Sequence, residues 1–78
     1  MTWDYRVVRE PYEHQDGTTE DVLTVREVYY DGDGAIDAWS AEPSSPTGAT
    51  LDELAQDLEW FSAALNKPIL DAADLPHS

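Results

Sequence analysis

Residues 21–41 read DVLTVREVYYDGDGAIDAWSA and predict two antiparallel strands joined by a tight turn. Residues 21–30 are rich in β-branched and aromatic side chains, which favour strands. The segment Asp31-Gly32-Asp33-Gly34 follows directly and predicts a tight turn. Gly reaches positive φ without steric cost, and the Asp side chain bonds to nearby backbone groups. A short strand over residues 35–41 completes the predicted hairpin.

The residues before this hairpin predict one more strand. Residues 3–9 alternate between two faces, with aromatic and β-branched side chains in the period-2 pattern of a strand. Residues 11–20 carry Pro, Gly, Asp and Gln and predict a loop. Residues 42–49 contain two prolines and a glycine, so they are expected to form a connector without regular structure after the sheet.

Residues 51–66 predict a helix with a defined start and end. Thr50 and Glu53 have the spacing of a capping box, in which each side chain bonds to the other residue's backbone N–H. Pro68 ends the helix, because the residue before a proline avoids helical geometry. Residues 71–78 are mostly polar and are expected to fray. A stripe at helical spacing is formed by Leu51, Leu54, Leu58, Phe61 and Leu65.

These elements predict an α+β fold in one small domain over residues 1–78. A three-stranded antiparallel β-meander packs on one C-terminal α-helix, in the order β-β-β-α, and the helix turns its leucine stripe toward the sheet. A chain of this length buries only roughly 60% of its unfolded surface. The eight aromatic side chains are therefore expected to supply much of the core.

The charge of the chain is its strongest functional signal. Seventeen acidic residues face four basic ones, which gives a formal net charge of −13 at pH 7. Such a charge disfavours nucleic acid and anionic lipid, and it steers a protein toward basic partners. The sequence has no cysteine, no signal peptide and no apolar run of membrane-spanning length. We therefore expect a cytoplasmic protein that binds neither a membrane nor nucleic acid directly.

Enzymatic, metal-binding and cofactor-binding roles find no support in the sequence. The acidic turn has EF-hand spacing from Asp31 to Glu42, but Ile36 replaces the glycine that such a loop needs. His14 and His77 have no companion ligands at a metal-binding spacing. The serines lack a base at a recognisable spacing, and there is no phosphate-binding glycine loop. We predict a non-enzymatic protein without metal or cofactor.

Two kinds of side chain form the predicted partner-binding surface. Trp and Tyr are common binding anchors, and the predicted anchors are Trp39, Trp60 and Tyr30. The predicted charged contacts are Asp31, Asp33, Asp37, Asp52, Glu53, Asp57 and Glu59. Residues one helical turn apart lie ~5–6 Å from each other, and duplex DNA carries about one charge per ~1.7 Å of its axis. Rows of carboxylates on a helix can therefore imitate the phosphates along a DNA strand. The predicted partner is a basic protein or a nucleoprotein complex, neutralised by an antitoxin or by a nucleic-acid mimic of the anti-CRISPR type.

The second half of the chain resembles the HicB-like antitoxin fold. The residues that carry the resemblance run from Trp39 to Leu65 and include GATLDELAQDLEWFSAAL, with a strand, a proline-containing link, a Gly and a T-x-x-E helix start. The whole chain, from YRVVRE to ALNKPIL, also looks like a group of small bacterial proteins. The resemblance implies the β-β-β-α layout, and by analogy it implies a toxin as partner.

A second interpretation stays open beside the first. Proteins with a large excess of acid can carry it for solvation alone, as in salt-loving organisms. A meander with an uncovered face or an exposed edge strand can also associate with a second copy. The alternative is therefore a structural homodimer whose acidity serves solubility.

Overall fold

A long β-hairpin forms the centre of the computed structural model, which describes residues 2–76. The first two strands pair antiparallel along their whole lengths, and a third strand joins the second. The elements in chain order are β1 (Thr2–Glu13), β2 (Thr19–Tyr30), β3 (Ile36–Trp39), α1 (Leu51–Ala64), β4 (Leu70–Asp71) and a 3-10 helix (Ala72–Asp74).

The two hairpin strands are longer than the sequence predicts, because the loop predicted over residues 11–20 is replaced by a shorter turn. The His14 N–H donates to the Thr18 carbonyl over 2.8 Å, and Gly17 adopts φ +89°, which Gly reaches without strain. Pro11 lies within β1, but beyond Val8 and Arg9, the two residues that pair with β4. On that side of β1 no strand of the described residues pairs with Pro11, so its missing N–H costs no hydrogen bond of the sheet.

The second hairpin turn forms where the sequence predicts it. The Asp31 carboxylate accepts hydrogen bonds from the backbone N–H groups of Asp33 and Ala35, over 2.8 and 3.1 Å. Gly34 adopts φ +82° and closes the turn. The next strand, β3, covers Ile36–Trp39 and is shorter than the predicted 35–41.

The predicted three-stranded antiparallel meander is wrong. The sheet has four strands in the order β3-β2-β1-β4, and it is mixed because β4 pairs parallel to β1. The fold is still α+β with a single α-helix. β4 is only two residues long, with Val8 opposite Leu70 and Arg9 opposite Asp71. Two residues leave no periodic pattern, so this long-range pairing has no sequence signal.

The segment after β4, predicted to fray, also contributes to the fold. The 3-10 helix Ala72–Asp74 leads to Leu75, which is buried. The Trp39 indole N–H donates to the Pro76 carbonyl over 2.7 Å, which anchors the segment across the sheet. This segment covers part of the sheet face opposite the helix. Residues 77 and 78 of the predicted tail lie outside the described part of the chain.

The helix begins as the capping box predicts and ends two residues earlier than expected, at Ala64. The Thr50 hydroxyl accepts from the Glu53 N–H over 3.2 Å, while the Glu53 carboxylate accepts from Ala49 N–H and not from Thr50. Gly48 packs against the first turn, where an added Cβ would lie 2.4 Å from the Leu54 nitrogen. The connector therefore reaches the helix by a close backbone approach that only Gly permits.

The helix is rotated about its axis relative to the prediction. Phe61 packs on Tyr5 of β1 with ring centroids 4.4 Å apart, and Asp57 and Ala64 are buried on the same side. Three members of the predicted core stripe are exposed instead: Leu51 by 81%, Leu58 by 49% and Leu65 by 69%. The expectation that all five stripe residues face the sheet is therefore wrong.

A small core lies on both faces of the central hairpin. The buried apolar residues are Val7, Val8, Val28, Ala64 and Leu75. Arg26 is buried with them and pairs with Glu10, and its guanidinium lies 5.1 Å from the centre of the Trp39 ring. It also donates to Thr24 Oγ1 and to the carbonyls of Ser40 and Ala41. The buried Arg26 guanidinium thus bonds to β1, to β2 and to the residues at the start of the connector.

Candidate interaction surface

All four Arg and Lys side chains of the protein are engaged inside the fold. Arg9 pairs with Asp71, Arg26 with Glu10, and Lys67 with Asp4. Arg6 donates to the Tyr30 hydroxyl over 3.1 Å and to the Pro68 carbonyl over 2.8 Å. Each positive charge is therefore matched by groups of the same chain, and these contacts join β1 or β2 to other parts of the fold.

Most of the negative charge has no such partner. Three of the seventeen carboxylates pair with Arg or Lys, which leaves fourteen without such a partner within residues 2–76, and all of these except Asp57 are at least partly exposed. Among the predicted contacts, Asp33 and Asp37 are exposed at the β2–β3 hairpin, and Asp52 and Glu59 are exposed on α1. These four predicted contacts therefore lie on the outside of the molecule, two at the hairpin and two on the helix.

Two further predicted contacts are exposed but already bonded to local backbone. Asp31 holds its own turn, and Glu53 accepts from Ala49 N–H over 2.8 Å at the start of α1. Their charges still contribute to the surface potential. Their side-chain orientation, however, is fixed by the fold.

Asp57 does not belong to the acidic surface that the sequence predicts. It is buried, and its two carboxylate oxygens accept from the Tyr5 hydroxyl and the Thr47 N–H, each over 2.9 Å. The carboxylate thus ties the helix to β1 and to the connector. The rotation of α1 is the reason, because it turns this position toward the sheet.

Two predicted aromatic anchors are also committed to internal contacts. The Trp39 indole is half-buried, donates to the Pro76 carbonyl and stacks near Arg26. The Tyr30 hydroxyl donates to Asp4 over 2.8 Å and accepts from Arg6. Burial and the hydrogen bond to Asp4 raise the pKa of Tyr30. Trp60 alone of the three is largely exposed, by 53%.

Trp60 forms one wall of a cleft, which we call the aromatic cleft. Its other residues are Trp3 and Tyr5 of β1, with Asp4 and Lys67 at the edge, and it encloses about 320 Å³. The Trp3 and Tyr5 rings meet edge to face with centroids 5.2 Å apart. Trp3 is 47% exposed, so the cleft contains two indole side chains that are each about half-exposed.

The polar groups at the aromatic cleft already have hydrogen-bond partners within the protein. Lys67 Nζ lies 2.7 Å from Asp4 Oδ2, and the other oxygen of Asp4 accepts from Tyr30. Burial, together with the hydrogen bond to Asp57 and the nearby Glu27 charge, raises the pKa of Tyr5 to about 12. Tyr5 therefore remains a neutral phenol at physiological pH.

The outer side of the helix carries a second apolar feature, which we call the exposed leucine stripe. It consists of Leu51, Leu58 and Leu65, spaced by seven residues on one side of α1. Ala55 and Ser62 lie between them and are small enough to let another backbone approach. The carboxylates Asp52 and Glu59 each come directly after a leucine of the stripe, and they make one of its flanks acidic.

The described residues offer no assembled metal site and no membrane-spanning helix. Among residues 2–76, no group of three His, Asp or Glu side chains could hold a metal ion. The acidic turn uses Asp31 for backbone hydrogen bonds instead. No helix within the described range is both long and apolar enough to cross a membrane.

Comparison with protein-family models, curated proteins and solved structures gave no match for this chain. The resemblance to the HicB-like fold therefore stays a prediction.

Sequence reasoning missed part of the cleft and the exposure of the leucines. The alternation of residues 3–9 places Trp3 and Tyr5 on one face of β1, which was the available signal. Nothing in the local pattern shows that Trp60, 57 positions away from Trp3 in the chain, lies against that face. Periodicity likewise identifies an apolar stripe without showing what it contacts.

Proposed function

We propose that this chain is a non-enzymatic cytoplasmic interaction protein that binds and neutralises a basic protein or nucleoprotein complex. It would act either as an antitoxin or as a nucleic-acid mimic of the anti-CRISPR type. One observation carries the proposal: every Arg and Lys side chain bonds to a group of the same chain, while thirteen carboxylates that are not buried have no Arg or Lys partner within residues 2–76.

The distribution of charge supports binding to a basic surface. Uncompensated carboxylates raise the rate at which an oppositely charged protein meets the molecule, and they disfavour acidic partners. Charge alone supplies little affinity, so a specific complex also needs apolar anchors. The aromatic cleft and the exposed leucine stripe offer such groups beside Asp52 and Glu59.

A pull-down from host lysate tests the proposal, with the tagged protein as bait at low salt and at ~0.5 M salt. We expect a basic protein or nucleoprotein complex to be retained at low salt and released at high salt, because surface charge is screened. Mass spectrometry identifies the retained proteins. Retention that ignores salt would contradict the charge argument.

Two matched charge variants sharpen the test. Replacing Asp33, Asp37, Asp52 and Glu59 by their amides lowers the net charge from −13 to −9. Replacing four other exposed carboxylates, Glu13, Asp21, Glu42 and Asp74, gives the same net charge. We expect the first variant to lose more of the captured partner. Equal loss in both variants would show that net charge, and not these positions, governs binding.

Competition distinguishes the two forms of the proposal. If the protein mimics nucleic acid, duplex DNA or RNA should displace it from the captured partner, since both occupy the same basic channel. An antitoxin that covers a toxin elsewhere would stay bound in the presence of nucleic acid. The measurement is the fraction of bait released by increasing nucleic acid at constant salt.

A structural homodimer is the second candidate, and the exposed leucine stripe is the observation that favours it. Leucines spaced by seven residues with Ala55 and Ser62 between them are suited to close helix pairing. Light scattering would then give twice the chain mass of 8.7 kDa, falling to one chain mass in Leu58→Asp. A single chain mass at all concentrations would exclude this candidate. The charge of −13 opposes self-association, which is why we rank it second.

A further inference from the structure

The aromatic cleft has the shape and lining of a binding site for a small flat group. Its volume of about 320 Å³ lies at the lower end of the range for ligand pockets, which are typically lined by aromatic side chains with a few polar groups. Trp3, Tyr5 and Trp60 supply the walls, and Asp4 is the carboxylate at the edge. Trp3 is 47% and Trp60 53% exposed, so about half of each residue is open to solvent.

The electrostatics of the cleft favour a cation over an anion or a neutral group. The cation at its edge, Lys67, is already matched by Asp4 at 2.7 Å. The nearby Asp57 and Glu27 add negative charge on the Tyr5 side. Aromatic ring faces attract cations, with Trp the strongest of the side chains. The uncompensated carboxylates elsewhere on the molecule act in the same direction.

We propose that the aromatic cleft binds the guanidinium group of an arginine side chain presented by the basic partner. The guanidinium lies against the indoles of Trp3 and Trp60 and pairs with the Asp4 carboxylate, from which it displaces Lys67. This inference rests on the proposed function, because it assigns an anchor to the same basic partner.

Arginine suits the cleft better than lysine for two reasons. Its guanidinium is planar, weakly hydrated and stacks on aromatic rings, whereas an ammonium is compact and strongly hydrated. It also carries several N–H donors, so it can bond to the Asp4 oxygen that Lys67 leaves while the other Asp4 oxygen keeps its bond to Tyr30. The Lys67 side chain is 40% exposed and is not one of the buried core residues, so it can turn from Asp4 toward solvent.

The indole N–H signals of the three tryptophans test this directly in a 15N–1H NMR titration. N-acetyl-arginine methylamide is the probe, with the lysine and citrulline analogues as controls for planarity and for charge. We expect arginine to shift the Trp3 and Trp60 signals, with severalfold weaker binding of lysine and weaker still of neutral citrulline. The Trp39 N–H, which is bonded to Pro76, is an internal control that should not move.

Paired variants separate the cleft from general electrostatics. Trp60→Ala should weaken arginine binding about tenfold through loss of a ring face, while Leu58→Ala on the outer side of the helix should leave it unchanged. Lys67→Ala should strengthen binding severalfold, because it removes the cation that competes for Asp4. Arg9→Ala removes a positive charge from another ion pair and should have no such effect.

The outcomes for this inference and for the proposed function are distinguishable. Equal shifts with arginine, lysine and citrulline, or equal strengthening by Lys67→Ala and Arg9→Ala, would overturn the arginine site. A basic partner captured just as well by Trp60→Ala would also overturn it and leave the proposed function standing. Arginine binding in the cleft without any salt-sensitive basic partner would support the site and contradict the proposed function.

Discussion

We expect Asp57→Asn to destabilise the fold by about 2–3 kcal/mol, because hydrogen bonds to a charged group contribute about 1.5–3 kcal/mol each. The carboxylate accepts from the Tyr5 hydroxyl and the Thr47 N–H, each over 2.9 Å. An Asn side chain has one oxygen, so it can accept one of these bonds. Its NH2 group then faces the other donor, which is left without an acceptor.

This loss is large for so small a domain. At about 0.05–0.15 kcal/mol per residue, a chain of 78 residues has a free energy of unfolding of about 4–12 kcal/mol. Asp and Asn have similar helix propensities, so the substitution changes little in the helix itself. The destabilisation therefore reports the two hydrogen bonds that join α1 to β1 and the connector.

The assay is urea unfolding monitored by far-UV circular dichroism, with Glu59→Gln as the matched control. Both substitutions remove one negative charge from α1, but Glu59 is exposed, so we expect its variant to stay within about 0.5 kcal/mol of the native protein. A double-mutant cycle with Tyr5→Phe should give a coupling energy of about 0.5–3 kcal/mol. Equal stability of the Asp57 and Glu59 variants would refute the buried, doubly bonded carboxylate.

Three further predictions concern the tyrosine, the buried arginine and the core. The pKa of Tyr5 is raised from 10.0 to about 12, so the unfolded state ionises first and stability should fall between pH 10 and 12, with a smaller fall in Tyr5→Phe. Arg26→Ala should cost about 3 kcal/mol in urea unfolding, because it removes a buried cation and its bonds to Glu10, Thr24 and the connector, whereas Arg9→Ala at an exposed pair should cost about 0–1 kcal/mol. Val8→Ala should lower the free energy of unfolding by about 2 kcal/mol because Val8 is buried, and Leu58→Ala should lower it by under about 0.5 kcal/mol because Leu58 is exposed. A larger cost for Leu58→Ala would show that Leu58 is buried and would contradict the rotation of the helix.

The start of the helix and the turn at Asp31 depend on short-range chemistry that the sequence contains in full. Thr50 and Glu53 are three residues apart, and the hydroxyl of Thr50 accepts from the Glu53 N–H as the capping box predicts. The turn at Asp31 forms through hydrogen bonds that span two and four residues. Interactions of this range depend on residue type and spacing, so they can be predicted before the fold is known.

The candidate site could be predicted only in part. Exposed carboxylates such as Asp33 and Glu59 agree with the sequence, because a charged side chain at an irregular or outward position stays solvated. Asp57 looks the same in the sequence, yet it is buried by its bonds to Tyr5 and Thr47. Burial of a carboxylate depends on donors brought from elsewhere in the chain, and these donors have no local signature.

The sequence by itself determined the net charge, the turn at Asp31, the central parts of the first three strands and the helix start, because each depends on composition or on residues a few positions apart. Only the tertiary structure decided the parallel pairing of β4 with β1, the side of α1 that is buried and the position of Trp3 and Trp60 at one cleft. These depend on contacts between distant residues, such as Tyr5 with Asp57, 52 positions apart. Periodicity shows that a helix has an apolar side, but the shape and hydrogen-bonding needs of the sheet decide which side it turns inward.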